Sequence, residues 1–261
     1  MSFYKERQIA EDLALGCRVL GAFEMTHGAL GHISYRLPDD QMLIKGKGPN
    51  EVGLRYTKPR DIIKVDFNAD MVDGPEDLQP PSESFLHIWI YKTRPEVMSV
   101  VHCHPEHAVL LTIARKEIFQ TYTGYHGTSS MARNGVPVYG SSITIGSDEL
   151  GQAFVKAMGD SNVALMLGHG IATAGTGIEQ STLNAINLEI LCRMMYKSYL
   201  IGDPQPIPEA DRRMTREQPP EGQRRPRGSA GGVEGMMASW RYYVARAEEK
   251  LGRPMDELDD L

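Results

Sequence analysis

The sequence predicts an α/β fold in which a central sheet, mainly antiparallel or mixed, is covered by helices. Short apolar and β-branched runs read as strands: Met42-Leu43-Ile44, Ile62 to Phe67, Val97 to Val101 and Val163 to Leu167. Two longer segments, Tyr4 to Met25 and Ile178 to Tyr199, carry apolar residues at helical spacing. Strands and helices follow one another without the regular repeat of a doubly wound parallel sheet, which points to antiparallel or mixed pairing.

Each element has a local reason. Ile9, Leu13, Val19, Leu20 and Phe23 give the first helix one apolar face; Gly28 and Gly31 stop it, and Ile33-Ser34-Tyr35-Arg36 begins a strand. Gln41 to Lys45 and Asp61 to Phe67 follow as strands, separated by the loop Gly46 to Asn50. A helix is expected from about Ser82 to Lys92, then the strand that runs into His102, then a helix from Glu106 to Arg115. Past the Gly/Ser-rich loop Thr121 to Gly135, Val136 to Tyr139 is a short strand, and Ser147 caps a helix running to about Met158. Ile171 to Gly175 returns as the antiparallel partner of Val163 to Leu167. The body spans residues 1–203. Residues 204–232, rich in Pro, Arg, Glu and Gly, read as an extended linker or arm. Residues 233–261 read as a C-terminal helix, apolar at Met236, Trp240, Tyr243 and Val244. An isolated helix gains little stability in water, so this one should pack on the body or on a neighbouring subunit.

Composition narrows the function classes. With 261 residues, 41% of them hydrophobic and 24% charged, the chain is an ordinary globular protein. A net charge of −6 argues against nucleic-acid binding as the main activity. Cys17, Cys103 and Cys192 form no spaced framework, which predicts reduced thiols and a cytoplasmic setting. No apolar run is long enough to span a membrane, and the charged N-terminus has no signal-peptide pattern.

The chemistry concentrates in three stretches. His102 and His104 flank Cys103, and at that spacing on a strand both imidazoles face one side and can grip one metal ion. Cys103 then points to the opposite face, as a core residue. Glu83 and His87 lie four apart and would share one face of the Ser82–Lys92 helix. A third ligand is best supplied by His169, where an apolar strand ends in Gly168-His169-Gly170. Three neutral imidazoles with an open position form a common catalytic divalent-metal site; zinc suits it, and so do manganese, cobalt or iron. His87 could support the ligands from behind or simply pack in its helix. His107 reads as structural, and His27 and His126 as loop histidines.

Together these residues resemble the class II aldolase/adducin family over about residues 8 to 200. The resemblance rests on Gly31-His32-Ile33-Ser34-Tyr35-Arg36, on Pro81-Ser82-Glu83 with His87, on His102-Cys103-His104-Pro105, and on Gly168-His169-Gly170 followed by Gly175. It implies an αβα sandwich, a homotetramer with active sites at subunit interfaces, and a divalent metal on His102, His104 and His169. Glu83 falls where the family keeps an acid/base carboxylate that can also ligate the metal. Sugar-phosphate aldolases of the family carry Gly-Asn-x-Ser in the first loop, and hydroxyls in the second, to cradle phosphate. Here His32 takes the Asn position, and Ile44-Lys45-Gly46-Lys47-Gly48-Pro49 offers no hydroxyl. Gly-His-x-Ser-x-Arg instead resembles a branch that decarboxylates hydroxylated aromatic, heteroaromatic or ring-cleavage carboxylates.

The resulting expectation is a metal-dependent decarboxylase of a small carboxylate such as a dihydroxyphthalate. Glu83, with a pKa raised by burial, or else His32, would return a proton to carbon. Arg36, Ser34, Lys45, Lys47 and His126 are the expected substrate contacts, the cations holding carboxylates. The rival is an aldolase acting on a hydroxy-keto acid or sugar phosphate, with Tyr242 or Tyr243 as its acid. A non-catalytic adducin-type domain would lack the three histidines that this chain carries.

Overall fold

The computed structural model describes residues 3–122, 130–214 and 232–252. The first helix, α1 (Phe3–Ala22), leads into β1 (His32–Leu37), β2 (Gln41–Lys45), β3 (Ile62–Asp66) and β4 (Met71–Asp73). Then come α2 (Ser84–Thr93), β5 (Ser99–Cys103), α3 (Glu106–Ile113), β6 (Val138–Tyr139), α4 (Asp148–Met158), β7 (Val163–Met166) and β8 (Gly170–Gly175). The helices α5 (Ile178–Ile201), α6 (Glu209–Met214) and α7 (Val233–Leu251) complete the described chain. The strands form one sheet in the order β4-β3-β2-β1-β5-β8-β7-β6. Every pairing is antiparallel except β6 with β7.

Alternation along the strands splits the core into two layers. Ile33, Val101, Cys103, Leu165 and Ile171 pack with α1, α3 and α5 on one face, joined by Trp240 and Ala247 of α7. Met42, Ile44, Val100, Ala164 and Ala174 pack with α2 and α4 on the other. The expected αβα sandwich is what forms. The odd and even residues of β1 and β5 therefore look in opposite directions, and His102 shares the α2 side with Val100.

Most boundaries agree with the sequence reading, and the differences have physical causes. β4 was not anticipated: Met71-Val72-Asp73 is an exposed edge strand with too few apolar residues to signal itself. The stretch read as an arm opens with α6, and Ile207 packs back by donating its N–H to the Gln120 carbonyl, 3.0 Å away. At α4, Ser147 caps the helix by accepting from the Leu150 N–H at 3.4 Å, an interaction of about 1 kcal/mol. Glu189 of α5 accepts from the backbone N–H groups of His107 and Ala108 at 3.2 and 3.0 Å, and its oxygen lies 2.6 Å from His107 Nδ1. That carboxylate caps α3 just after the His102-Cys103-His104 stretch, a structural role for His107. Helix α7 packs on α1, with Tyr243 edge-on to Phe23 at 5.1 Å.

The closest approach on the α1 side is at Gly21, where an added Cβ would lie 2.4 Å from the Arg55 backbone. Backbone cannot swing aside as a flexible side chain can. Gly21→Ala is therefore expected to cost about 1–3 kcal/mol. Chemical denaturation measures this, and an unchanged midpoint would mean that α1 does not sit against Arg55 as described.

Candidate active site

Three elements deliver four ligand-bearing side chains to one point. Strand β5 supplies His102, and the residue just past its end supplies His104. The tight β7–β8 turn supplies His169: Gly168 there has φ +59°, and its N–H donates to Thr112 Oγ1 at 3.0 Å. Glu83 immediately precedes α2. Gly170 sits so close to this cluster that a Cβ would lie 2.6 Å from the His104 ring. One candidate ligand atom from each of Glu83, His102, His104 and His169 lies within 4.8 Å of the others.

The hydrogen-bond chemistry of the cluster calls for a cation. His102 Nδ1 lies 2.9 Å from the Ile171 carbonyl, which can only accept, so the ring proton belongs on Nδ1. A neutral His102 then presents a bare Nε2, yet that atom is 2.9 Å from Glu83 Oε2 and 3.0 Å from His104 Nε2. Thr26 Oγ1, 3.3 Å from His104 Nδ1, gives that ring the same orientation, with Nε2 inward. His169 Nε2 lies 3.5 Å from Glu83 Oε1, while its buried Nδ1 has no hydrogen-bond partner among the described residues. Lone pairs crowded at such distances suit ligands around a tetrahedral ion, where atoms bound at about 2.1 Å stand about 3.4 Å apart. The donor set fits a divalent metal.

The electrostatics correct one expectation. Burial pushes the Glu83 carboxyl up, but in the metal-free site His102 and His169, when they hold a proton toward it, outweigh burial and hold the group far below the ordinary carboxylate range. Glu83 is thus a carboxylate at rest rather than the protonated acid expected from burial alone. It also lies before α2 rather than within it, and the Ile145 N–H donates to its Oε1 at 3.3 Å. Burial, with the neighbouring imidazoles, lowers His104 to about 3, and burial with His102 beside it lowers His87 to about 3. Burial, His87 and His102 likewise lower His32 well below its usual value.

A cavity of about 760 Å³ opens over the cluster, lined by Glu83, His104, His169, His32, Lys45 and Lys47 among others. His102 lies beneath, fully buried. Lys45 is paired with Glu51, whereas Lys47 Nζ donates to Ser82 Oγ at 2.9 Å and has no carboxylate partner among the described residues. Two expected substrate contacts are elsewhere. Arg36 does not line the cavity: its guanidinium donates to the Tyr91 carbonyl at 3.0 Å and lies 5.9 Å from the centroids of Phe67 and Tyr91. Ser34 is fully buried, its Oγ 2.7 Å from His87 Nδ1 and 2.6 Å from the Tyr91 hydroxyl. Strand alternation, which put Ser34 and Arg36 on the side of His32, also carries them away from the cavity and under α2. His126 lies outside the described residues. Neither Tyr242 nor Tyr243 lines the cavity. Tyr91, not singled out from sequence, was signalled by its spacing: it lies four residues after His87, on the same face of α2.

The family model for the class II aldolase and adducin N-terminal domain matches residues 11–196. The chain belongs to this family. It is 36% identical over 187 residues to a 3,4-dihydroxyphthalate decarboxylase of Rhodococcus jostii (strain RHA1), covering 70% of this chain and 76% of that one. To a 3,4-dihydroxyphthalate decarboxylase of Arthrobacter keyseri it is 31% identical over 242 residues, covering 90% and 92%. An aldolase II superfamily protein from Pseudomonas syringae superposes with a TM-score of 0.78 at 20% identity, over 95% of each chain, which establishes the shared family fold. Among the described residues, no helix is long and apolar enough to cross a membrane.

His32, His87 and His104 are neutral when folded, but in the unfolded chain they take up protons near pH 6.5. Below that pH the unfolded state binds more protons, so the metal-free protein loses stability as pH falls. The loss reaches about 1.4 kcal/mol per pH unit per histidine. Glu83, whose pKa is depressed from 4.5, adds a loss in the same direction only below that value. Urea midpoints that match at about pH 7 and about pH 5 would mean that the folded site already carries these protons.

Proposed function

We propose that this family member is a carboxy-lyase that removes CO2 from an aromatic or heteroaromatic dicarboxylate bearing a hydroxyl beside the departing carboxylate. The observation that carries this reading is the cavity itself. One wall holds the Glu83–histidine cluster, and the lining includes the ammonium of Lys47, which has no carboxylate partner among the described residues. The two decarboxylase relatives supply the substrate class, 3,4-dihydroxyphthalate being its type. His102, His104 and His169 would hold a divalent ion, with Glu83 beside it. When bound, such an ion supplies a Lewis acid that stabilises negative charge on oxygen next to the breaking bond.

The chain's own residues account for the remaining steps. Lys47 holds the carboxylate that stays, in a charge-assisted hydrogen bond. Glu83, ionised at rest, takes the proton of the neighbouring hydroxyl and delivers it to the ring carbon that bears the departing carboxylate. The C–CO2 bond then breaks, and its electron pair returns through the ring to the hydroxyl oxygen. The products are CO2 and a phenolate, which takes its proton from solvent. His32, at the cavity edge, faces the oxygen on which charge develops. Glu83 is therefore a proton shuttle, first base and then acid.

CO2 release from dihydroxyphthalates and hydroxypyridine dicarboxylates tests this directly. The metal-loaded protein should release CO2, and His102→Ala should lose both bound metal and activity. Lys47→Met should raise KM about 10- to 100-fold, the weight of one hydrogen bond to a charged group, with kcat less affected. Aldehyde release from a hydroxy-keto acid or sugar phosphate, without CO2 from this panel, would make the protein an aldolase instead.

The same reading includes a homotetramer in the cytoplasm. Its support is the exposed apolar mouth: Leu30 lines the cavity but is 59% exposed, and Ile143, also 59% exposed, lies between the lining residues Ser142 and Thr144. A second copy covering the mouth would bury both. Sedimentation of the pure protein as a monomer would sink this part of the reading.

A further inference from the structure

Behind His32 runs a chain of three short contacts that the steps above do not use. His32 Nδ1 lies 2.7 Å from His87 Nε2, His87 Nδ1 lies 2.7 Å from Ser34 Oγ, and Ser34 Oγ lies 2.6 Å from the Tyr91 hydroxyl. Ser34, His87 and Tyr91 are all fully buried. Each contact can hold one proton, so the direction of the whole chain follows from its closed end.

That end is Tyr91. Among the described residues, Ser34 Oγ is the acceptor within reach of its hydroxyl, and a buried phenol proton left without an acceptor is costly. Tyr91 therefore donates to Ser34. Ser34, already accepting, sends its own proton to its other partner, His87 Nδ1. No carboxylate is hydrogen-bonded to His87 among the described residues, so this enclosed ring is neutral and carries its one proton on Nε2. That proton goes to His32 Nδ1. A neutral His32 must then carry its proton on Nε2, an atom with no hydrogen-bond partner among the described residues, on a ring that lines the cavity.

We propose that Tyr91, Ser34 and His87 are positioning residues that lock His32 in its Nε2–H tautomer, so that the ring offers the substrate a proton donor and never a lone pair. This rests on the decarboxylase reading only for the identity of the acceptor, the substrate oxygen that gains charge as CO2 leaves. No proton changes owner: His32 hydrogen-bonds that oxygen and keeps its proton. A donor fixed in advance costs no reorganisation at the moment of reaction. The reversed chain would aim a lone pair at an anionic oxygen and repel it. Arg36 steadies the far end, since its guanidinium holds the Tyr91 carbonyl.

The test reads the tautomer and the kinetics on the same full-length, metal-loaded protein. Solid-state 15N NMR of histidine-labelled protein, with His32 assigned by its absence in His32→Gln, should show a protonated Nε2 and a bare Nδ1. Tyr91→Phe and Ser34→Ala should split that signal between the two tautomers. They should also lower kcat about 10²-fold, the typical effect of losing one preorganised donor, with KM and metal content near those of the parent. Ser34→Thr, which keeps a hydroxyl, should restore both signal and rate. A protonated Nδ1 in the unmodified protein overturns the inference, whether or not the variants fold. An unchanged tautomer in a folded Tyr91→Phe also overturns it. The decarboxylase reading is judged separately, by CO2 release from the unmodified protein. If that assay is silent while the Nε2–H tautomer is found, the chain's direction stands and the substrate assignment falls.

Discussion

The antiparallel register of β1 against β5 sets His32 directly opposite His102 and Ser34 opposite Val100. Everything at the site hangs on that pairing. Because side chains alternate across a strand, it puts His32 and His102 on one face with ring centroids 5.1 Å apart. A slip of β1 by one residue would turn His32 into the opposite core layer and bring Ile33 out in its place. Val101 and Ile33 pack under α1 and α5, and Val100 packs under α2, so both layers resist the slip. The core thus fixes the chemistry by fixing the register.

The same pairing creates an electrostatic problem that the surroundings resolve in two ways. Several imidazoles are packed where water is largely excluded, and charging one penalises its neighbours. On the cavity side, the Ile171 carbonyl draws the His102 ring proton outward and Thr26 engages His104 Nδ1, so that Nε2 atoms converge beside Glu83. On the helix side, the chain through His87, Ser34 and Tyr91 gives His32 a partner without adding charge. One arrangement concentrates lone pairs for a cation, and the other lines up protons for an anion. Both are built from imidazoles.

Much of this was legible in the sequence because strands and ligands signal themselves locally. The β-branched runs located β2, β3, β5 and β7, and the separation of His102 from His104 was enough to predict that both rings converge. The convergence holds although His104 lies one residue beyond the end of β5. What failed were inferences about distance along an element. Ser34 and Arg36 alternate with the correct face, yet each step of two residues on a strand moves about 6.6 Å further from the cavity. Arg36 consequently serves the helix α2 rather than a ligand. Glu83 was misjudged for a different reason. Burial alone raises a carboxyl pKa, and its two imidazole neighbours come from strands and turns distant in sequence, which no local pattern reveals. The edge strand β4 was invisible because nothing in it is buried.

His32 brings the two halves together. An amide at this position could satisfy itself against backbone and would present both a donor and an acceptor to the cavity. An imidazole has one proton when neutral, and its location is decided by whatever touches the inner nitrogen. Placing a histidine here therefore makes the groups behind it part of the site, and it demands that the chain end in a donor rather than in water. Tyr91 meets that demand: it is enclosed between the sheet and Phe67, and burial raises its pKa well above the ordinary phenol value, so that it keeps its proton. The imidazole is in this sense not one isolated choice of residue. It is chemically coherent only with a hydroxyl at 34, an imidazole at 87 and a phenol at 91. All three lie on the face of the sheet and helix that the β1–β5 register brings together.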